Sequence, residues 1–231
     1  MKLVCADLGI FDYSAVLELQ HTLVAQRYAD EIPDTLLLLE HPPVFTLGRG
    51  GDVKHLLNPG QIPVHRVNRG GDVTFHGPGQ LVGYPIVALR QHGKDVHVYL
   101  RQVEDVLIST LAKWGIAAHK QDGLTGVWVG SHKIASIGIG VRRWVTFHGF
   151  ALNVNPDLSY FSAIVPCGLH GVRITSVQQL LETEVPLGYM KSAVARNFAQ
   201  LFGHQEIVWN TSLPMSGLTK SGLREQPAHA L

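Results

Sequence analysis

Apolar residues along this chain recur at two spacings, and each spacing predicts a different element. Over residues 12–27, Val16, Leu17, Leu23 and Val24 share one stripe of a helix, with Asp12 placed to cap it. Over 95–114, Val96, Tyr99, Leu100, Val103, Val106, Leu107, Thr110 and Leu111 keep helical spacing, and Gly115 follows where a C-terminal cap belongs. Residues 176–181 and 187–202 predict two more helices. Short apolar runs at 35–39, 147–154 and 206–209 read as strands. Residues 62–67 alternate, and 127–139 reads as two strands joined by a turn near Gly130 and Ser131. The run 81–89 predicts a central strand, with Pro85 a complication because proline donates no ladder hydrogen bond. Pro42 and Pro43 stop regular pairing, so 41–49 reads as a loop and then a strand. Asn155-Pro156-Asp157 signals a turn, and 164–174, which holds Cys167, is irregular.

Helices and strands alternate, several strands are joined as hairpins, and no repeat or linker interrupts them. That predicts one α/β (α+β) domain over residues 1–211, a mixed β-sheet flanked by helices. From Ser212 to residue 231 the chain is polar and broken by Gly and Pro, and a loosely ordered tail is expected.

Composition narrows the function classes. The 231 residues suit one large domain or two small ones. Nineteen Lys and Arg against 18 Asp and Glu leave a formal charge of +1, which argues against a nucleic-acid footprint, since that needs a basic face. No apolar run is long enough to span a bilayer, and Asp7 and Asp12 interrupt any signal-peptide core, so no membrane contact and a cytoplasmic location are expected. Cys5 and Cys167 admit one disulfide, but a reducing cytoplasm favours free thiols. The 13 histidines are scattered, with no His-Glu-x-x-His helix and no Cys-x-x-Cys pair, so no metal is expected.

Candidate chemistry concentrates in Arg69-Gly-Gly-Asp-Val-Thr-Phe-His-Gly-Pro-Gly-Gln80. Its glycines let backbone approach a ligand, Pro78 stiffens the turn, and His76 exchanges a proton near neutral pH. It reads as a binding loop feeding a buried strand, or as a glycine-rich hairpin with no ligand. Cys167, in Val165-Pro-Cys-Gly-Leu-His170, has access and a nearby His170, which suit a reactive thiol; a buried structural cysteine is the other reading. Cys5, in an apolar N-terminal strand, suits inert core. Lys133, in Gly130-Ser-His-Lys-Ile-Ala-Ser136, borders a nearly uncharged run and reads either as a site lysine or as a solvated turn lysine; His132 is equally open.

Four motifs in order resemble the octanoyltransferases, the lipoyl(octanoyl) transferase family. They are Arg69-Gly70-Gly71-x-x-Thr74-Phe75-His76-x-x-Gly79-Gln80-x-x-x-Tyr84, Lys133-Ile134-Ala135-x-x-Gly138, the run from Phe147 to Val154, and Pro166-Cys167-Gly168. Each alone is weak, but the four together are specific, and they span most of the chain without a departure. The tail carries no matching motif.

The resemblance implies transfer of an octanoyl group from acyl carrier protein to a lysine of a lipoyl domain, through an acyl-enzyme thioester and with no cofactor or ATP. Cys167 is then the acylated nucleophile and Lys133 its base, drawn into a dry site. Arg69, Gly70, Gly71, Asp72, Val73, Thr74, Phe75, His76, Ser136, Ile137, Gly138, Gly149, Phe150 and Ala151 line the substrate pocket. The implied fold is that of the biotin and lipoate ligase catalytic domain. Implied partners are octanoyl-acyl carrier protein as donor, with lipoyl domains of 2-oxoacid dehydrogenase E2 subunits and the glycine cleavage H protein as acceptors. Arg49, Lys54, Arg142 and Arg143 are candidate contacts for these acidic domains, each equally readable as solvated surface. Candidate oxyanion donors are the backbone of 77–79 and the His76 side chain, and the stretches 134–139 and 150–152 are candidate channel walls. Two rivals stand beside this reading. An ATP-dependent lipoate or biotin ligase needs no nucleophilic cysteine, and a non-catalytic acyl-binding or lipoyl-domain-binding module needs neither Cys167 nor Lys133.

Overall fold

The structure, a computed structural model, describes residues 1–168 and 171–210. Its elements run β1 (Lys2–Ile10), α1 (Tyr13–Tyr28), β2 (Asp34–Glu40), β3 (Val44–Leu47), β4 (Val64–Arg66), β5 (Val73–His76) and β6 (Gln80–Ile86). There follow α2 (Val96–Ala112), β7 (Val127–Val129), β8 (His132–Arg142), β9 (Val145–Asn153), β10 (Arg173–Ile174), α3 (Val177–Leu181), α4 (Leu187–Leu201) and β11 (Glu206–Trp209). The expected tail from Ser212, together with His170, lies outside the described residues.

The larger sheet has the order β10-β8-β9-β6-β2-β1-β11, with β7 added beside β8. It is mixed: β1 pairs parallel with β2 and β11, whereas β2-β6, β6-β9 and β8-β9 are antiparallel. Both faces are covered, as the alternation along β2 shows. Leu36 and Leu38 enter the core under α2 and α4; Leu37 and Leu39 enter the one under α1. Side chains cap α1 and α2 at their N-termini, where four backbone N–H groups lack intrahelical partners. Asp12 Oδ1 accepts from the Ala15 N–H at 3.0 Å, and Asp95 Oδ1 from those of His97 and Val98. A second sheet, β4-β3-β5, packs Phe45, Val73 and Phe75 against Phe161 and Ile164. Among the described residues, no helix is long and apolar enough to cross a membrane.

Three elements differ from the sequence-based expectation. The central strand β6 stops at Ile86 rather than Leu89, and its ladder with β9 covers only 80–83. Pro85 therefore falls beyond that ladder, where the Thr146 hydroxyl replaces it by donating to Pro85 O at 2.7 Å and accepting from the Val87 N–H at 3.0 Å. The glycine-rich stretch is not all loop, since 73–76 form β5 paired with β3. Finally, β8 runs on to Arg142 rather than ending at Ile139, and the β8-β9 hairpin turns at Arg143 and Trp144.

Candidate active site

The irregular segment holding Cys167 is anchored at both ends. At its start the Val165 N–H donates to His55 O at 2.7 Å; at its end β10 pairs with β8, Ile174 opposite Lys133. Cys167 hangs between them in a short helical turn, closed by the Gly168 N–H on Val165 O at 3.0 Å. Its backbone is left-handed, φ 57° and ψ 19°, which costs a non-glycine residue on the order of 1 kcal/mol. Gly168 follows with φ +67°, and a Cβ there would lie 2.5 Å from Asp72 Oδ2. Glycine thus lets the turn close onto Asp72, whose carboxylate is held by His55 Nδ1 at 2.6 Å and by the Val73 N–H at 2.6 Å.

Lys133 meets that turn from β8. Its side chain is buried, at 3% exposure. Nζ donates to Thr125 O at 3.0 Å and to Cys167 Sγ at 3.0 Å, and sits 5.5 Å from the Trp128 ring centroid. Among the described residues no carboxylate pairs with it. The structure thus joins the two predicted chemical residues in one hydrogen bond; His132 is left half-exposed on the β7-β8 turn.

Two cavities meet at Cys167. The inner one, about 40 Å³, has room for a few waters. Arg69, Gly71, Asp72, Val73, Thr74 and His76 line one side of it. Ser136, Ile137, Gly138, Gly149, Phe150 and Ala151 line the other. The outer one, about 460 Å³, has apolar walls from Val96, Leu100, Leu124, Ile139 and Val141, and includes Gly70, Arg49 and Lys133. Of the predicted pocket residues Phe75 stands apart, stacking on Tyr160 at 4.6 Å inside the small sheet's core. Ile134 and Leu152 are likewise core rather than channel wall. Gly138 is where the glycine-rich stretch crosses β8, since a Cβ there would lie 2.8 Å from Gly70 O.

The polar network below the inner cavity fixes the state of His76. Asn153 Nδ2 donates to Thr175 O, so its Oδ1 accepts from Gln80 Nε2, which also donates to Phe75 O. Gln80 Oε1 is left to accept, and His76 Nδ1–H donates to it at 2.8 Å. Burial, followed by the neighbouring His41, pushes the His76 ring down to about 3, so it is neutral and its Nε2 is a lone pair. His76 accepts there, which corrects its assignment as an oxyanion donor. The backbone of 77–79 fails for another reason: the Gly79 N–H is taken by Glu40 Oε2 at 2.8 Å, and none of the three residues lines either cavity. The Gly71 N–H, by contrast, has no acceptor among the described residues, and Gly71 borders both cavities.

Arg69 is a strut as well as a wall. Its guanidinium holds Thr46 through both the carbonyl and the hydroxyl, and donates to Gly70 O at 2.9 Å. Desolvation lowers its pKa. Three further residues line the inner cavity: Tyr13, Tyr84 and His148. Tyr84 stood in a matched motif, and its hydroxyl donates to His41 Nε2 at 2.8 Å while His41 Nδ1–H donates to Phe11 O. His148 lies in the stretch 147–154, left-handed at φ 55° within β9 and with both ring nitrogens buried and unpartnered among the described residues. Burial pushes its ring down to about 3. Tyr13 had no sequence signal, since it reaches the site only through the packing of α1.

Residues 12–199 match the family described as the lipoyl protein ligase A/B catalytic domain. The chain is 50% identical over 208 residues to the octanoyltransferase of Geobacter metallireducens, covering 90% of this chain and 97% of that protein. It is 51% identical over 199 residues to the octanoyltransferase of Gloeobacter violaceus, covering 85% and 89%. In fold it is similar to a bi-partite lipoate protein ligase from Thermoplasma acidophilum, with a TM-score of 0.68 at 15% identity over 92% of this chain and 87% of that one.

Proposed function

This chain belongs to the octanoyltransferases, built on the lipoyl protein ligase A/B catalytic domain, and from that premise we propose that it carries an octanoyl group from acyl carrier protein to a lipoyl-domain lysine through a thioester on Cys167. The observation that carries this reading is the 3.0 Å contact between Lys133 Nζ and Cys167 Sγ where two cavities meet. A thiol becomes a nucleophile as its thiolate, and a lysine amine in hydrogen-bond contact is placed to take the proton.

The proton passes from Sγ to Nζ, and the thiolate attacks the carbonyl carbon of the donor thioester. The tetrahedral oxyanion collapses, the carbon–sulfur bond to the carrier's thiol breaks, and that thiol leaves with the proton from Nζ. The octanoyl group is now on Cys167. The acceptor lysine amine attacks the new thioester, its proton passes to Nζ, and the carbon–sulfur bond to Cys167 breaks to leave an amide and a thiolate, to which Nζ returns the proton. Exchange of one thioester for another is near balanced and amide formation is downhill, so no nucleotide is consumed. The Gly71 N–H, without an acceptor among the described residues, is the group we assign to the oxyanion.

We assign the two cavities different tasks. The inner one, where the motif residues converge, takes the acyl tail, and its walls must part to admit eight carbons. The outer one admits the arms: first the carrier's thiol arm, then the acceptor lysine. The acceptors fit 2-oxoacid dehydrogenase lipoyl domains and the glycine cleavage H protein, and the protein would work in the cytoplasm. Arg49 at the outer cavity and Arg143, stacked 4.9 Å over the Tyr28 ring, are placed to meet acidic domains.

Intact mass after incubation with octanoyl-acyl carrier protein, without ATP, tests the reading. An octanoyl adduct on Cys167, absent from Cys167→Ser and discharged by apo lipoyl domain, is expected. Transfer only with ATP, or transfer surviving Cys167→Ser, would replace this reading with the ligase one.

A further inference from the structure

Toward the far end of the large sheet from Lys133, three side chains from distant parts of the sequence converge. Asp34 opens β2, His92 follows the short helical turn after β6, and His204 sits between α4 and β11. Asp34 Oδ2 is 2.8 Å from His92 Nε2 and 3.6 Å from His204 Nε2, and one ligand atom from each residue lies within 4.8 Å of the others. The side chains of Asp34, His92 and His204 are 2%, 8% and 0% exposed. Both ring nitrogens of His204 are buried with no hydrogen-bond partner among the described residues, a cost that native structures rarely leave unexplained.

We infer that Asp34 Oδ2, His92 Nε2 and His204 Nε2 form a binding site for one divalent transition-metal ion of the zinc class. Two imidazoles and one carboxylate are a donor set that zinc accepts, with a fourth position left for water. Ligand atoms about 3.3 Å apart are what tetrahedral bonds of about 2.0–2.1 Å require, and the two separations from Asp34 Oδ2, 2.8 and 3.6 Å, bracket that value. The carboxylate is already oriented: Asp34 Oδ1 accepts from Arg27 Nε at 2.8 Å and from the Ala88 N–H at 3.1 Å, leaving Oδ2 for the ion. A cavity of about 160 Å³ bordered by Met1, Lys2, Arg27 and Gln91 reaches Asp34. The ion ties the α4-β11 junction to β2, so it acts on the stability of this end of the sheet and not on acyl chemistry.

The test uses the full chain, stripped with a chelator and then freed of it. Zinc ion alone is titrated in, read by calorimetry and by metal content after gel filtration. Cobalt(II) is the second probe, because Cys167 Sγ is a competing ligand and a thiolate on cobalt gives a charge-transfer band that nitrogen and oxygen ligands do not. One ion per chain, no such band and a higher thermal midpoint are expected. His92→Gln and His204→Gln should each weaken binding by about 100-fold or more, since even partners of metal ligands are worth 10- to 100-fold. The His204 side chain has no hydrogen bond to lose among the described residues, so its variant should keep the fold, which circular dichroism and unchanged Cys167 acylation will check. Less than one ion per chain at micromolar zinc, a thiolate band, or full retention of the ion in both variants would overturn the site.

Discussion

Lys133 Nζ lies 3.0 Å from Cys167 Sγ although the two residues are 34 positions apart. What joins them is β10, a strand of two residues whose pairing with β8 sets Ile174 opposite Lys133 just after the cysteine turn. The reactive pair is thus held by backbone ladder bonds rather than by long side chains reaching across solvent, which favours a fixed geometry.

Lys133→Met should slow octanoyl adduct formation by about 100-fold or more, the usual worth of a positioned base. Methionine fills the same buried space without an unpaired charge, so the thermal midpoint should hold. A time course of intact mass measures the rate, and an unchanged rate would remove Lys133 from the mechanism.

The Gly168 position is equally demanding. Gly168→Ala places a Cβ at 2.5 Å from Asp72 Oδ2 in a left-handed backbone, so the turn must move. Adduct formation should fall at least about tenfold through misplacement of Sγ. Iodoacetamide should still alkylate Cys167, because access does not need the exact turn.

The two cavities are separable by substitution. Ser136→Leu fills the inner one and should shift preference from octanoyl toward shorter chains. Leu100→Trp narrows the outer one and should raise KM for both protein substrates while leaving chain-length preference alone. Competition between acyl carrier proteins of different chain length reads both, and exchanged phenotypes would reverse the assignment. Gly138 is unsuited to this test, since its Cβ would strike Gly70 O and displace the glycine-rich stretch.

Acid should unfold this protein readily. Burial holds His41 down to about 4, and His76 and His148 to about 3, against an ordinary 6.5. Above pH 6.5 neither state binds these protons, and the stability is fully present. As pH falls below 6.5 the unfolded chain binds protons that the folded one refuses, so stability is lost toward the folded values. Each ring contributes about 1.4 kcal/mol per pH unit, and the three together roughly 4 kcal/mol per unit between about pH 6 and 4. Denaturant midpoints at pH 7.5, 6 and 5 will show it, and a flat profile would contradict the neutral burial of these rings.

The large sheet and its helices were legible because apolar spacing is set by the faces they bury, as Leu36 to Leu39 demonstrate in alternating between two cores. Cys167 and Lys133 were legible as motif residues, but their contact was not, since it depends on β10, too short to leave a pattern. β5 was hidden by the glycines around it, and the tautomer of His76 was hidden because Thr175 O and Phe75 O fix it through two amides. Asp34, His92 and His204 form no motif, because only the sheet order brings them together.

The outer neighbour of β1 is β11, Lys2 opposite Glu206, so β1 is completed by a strand made about two hundred residues later. During synthesis that edge of β1 stays open long after β2 has covered the other, and parallel pairing across such a span is slow. Cys5 lies on this strand. In the finished fold its thiol is fully buried and pushed up to about 12, beyond the reach of oxidants. Closure of the β1-β11 seam, where Cys5 lies opposite Trp209, is therefore what shields this thiol.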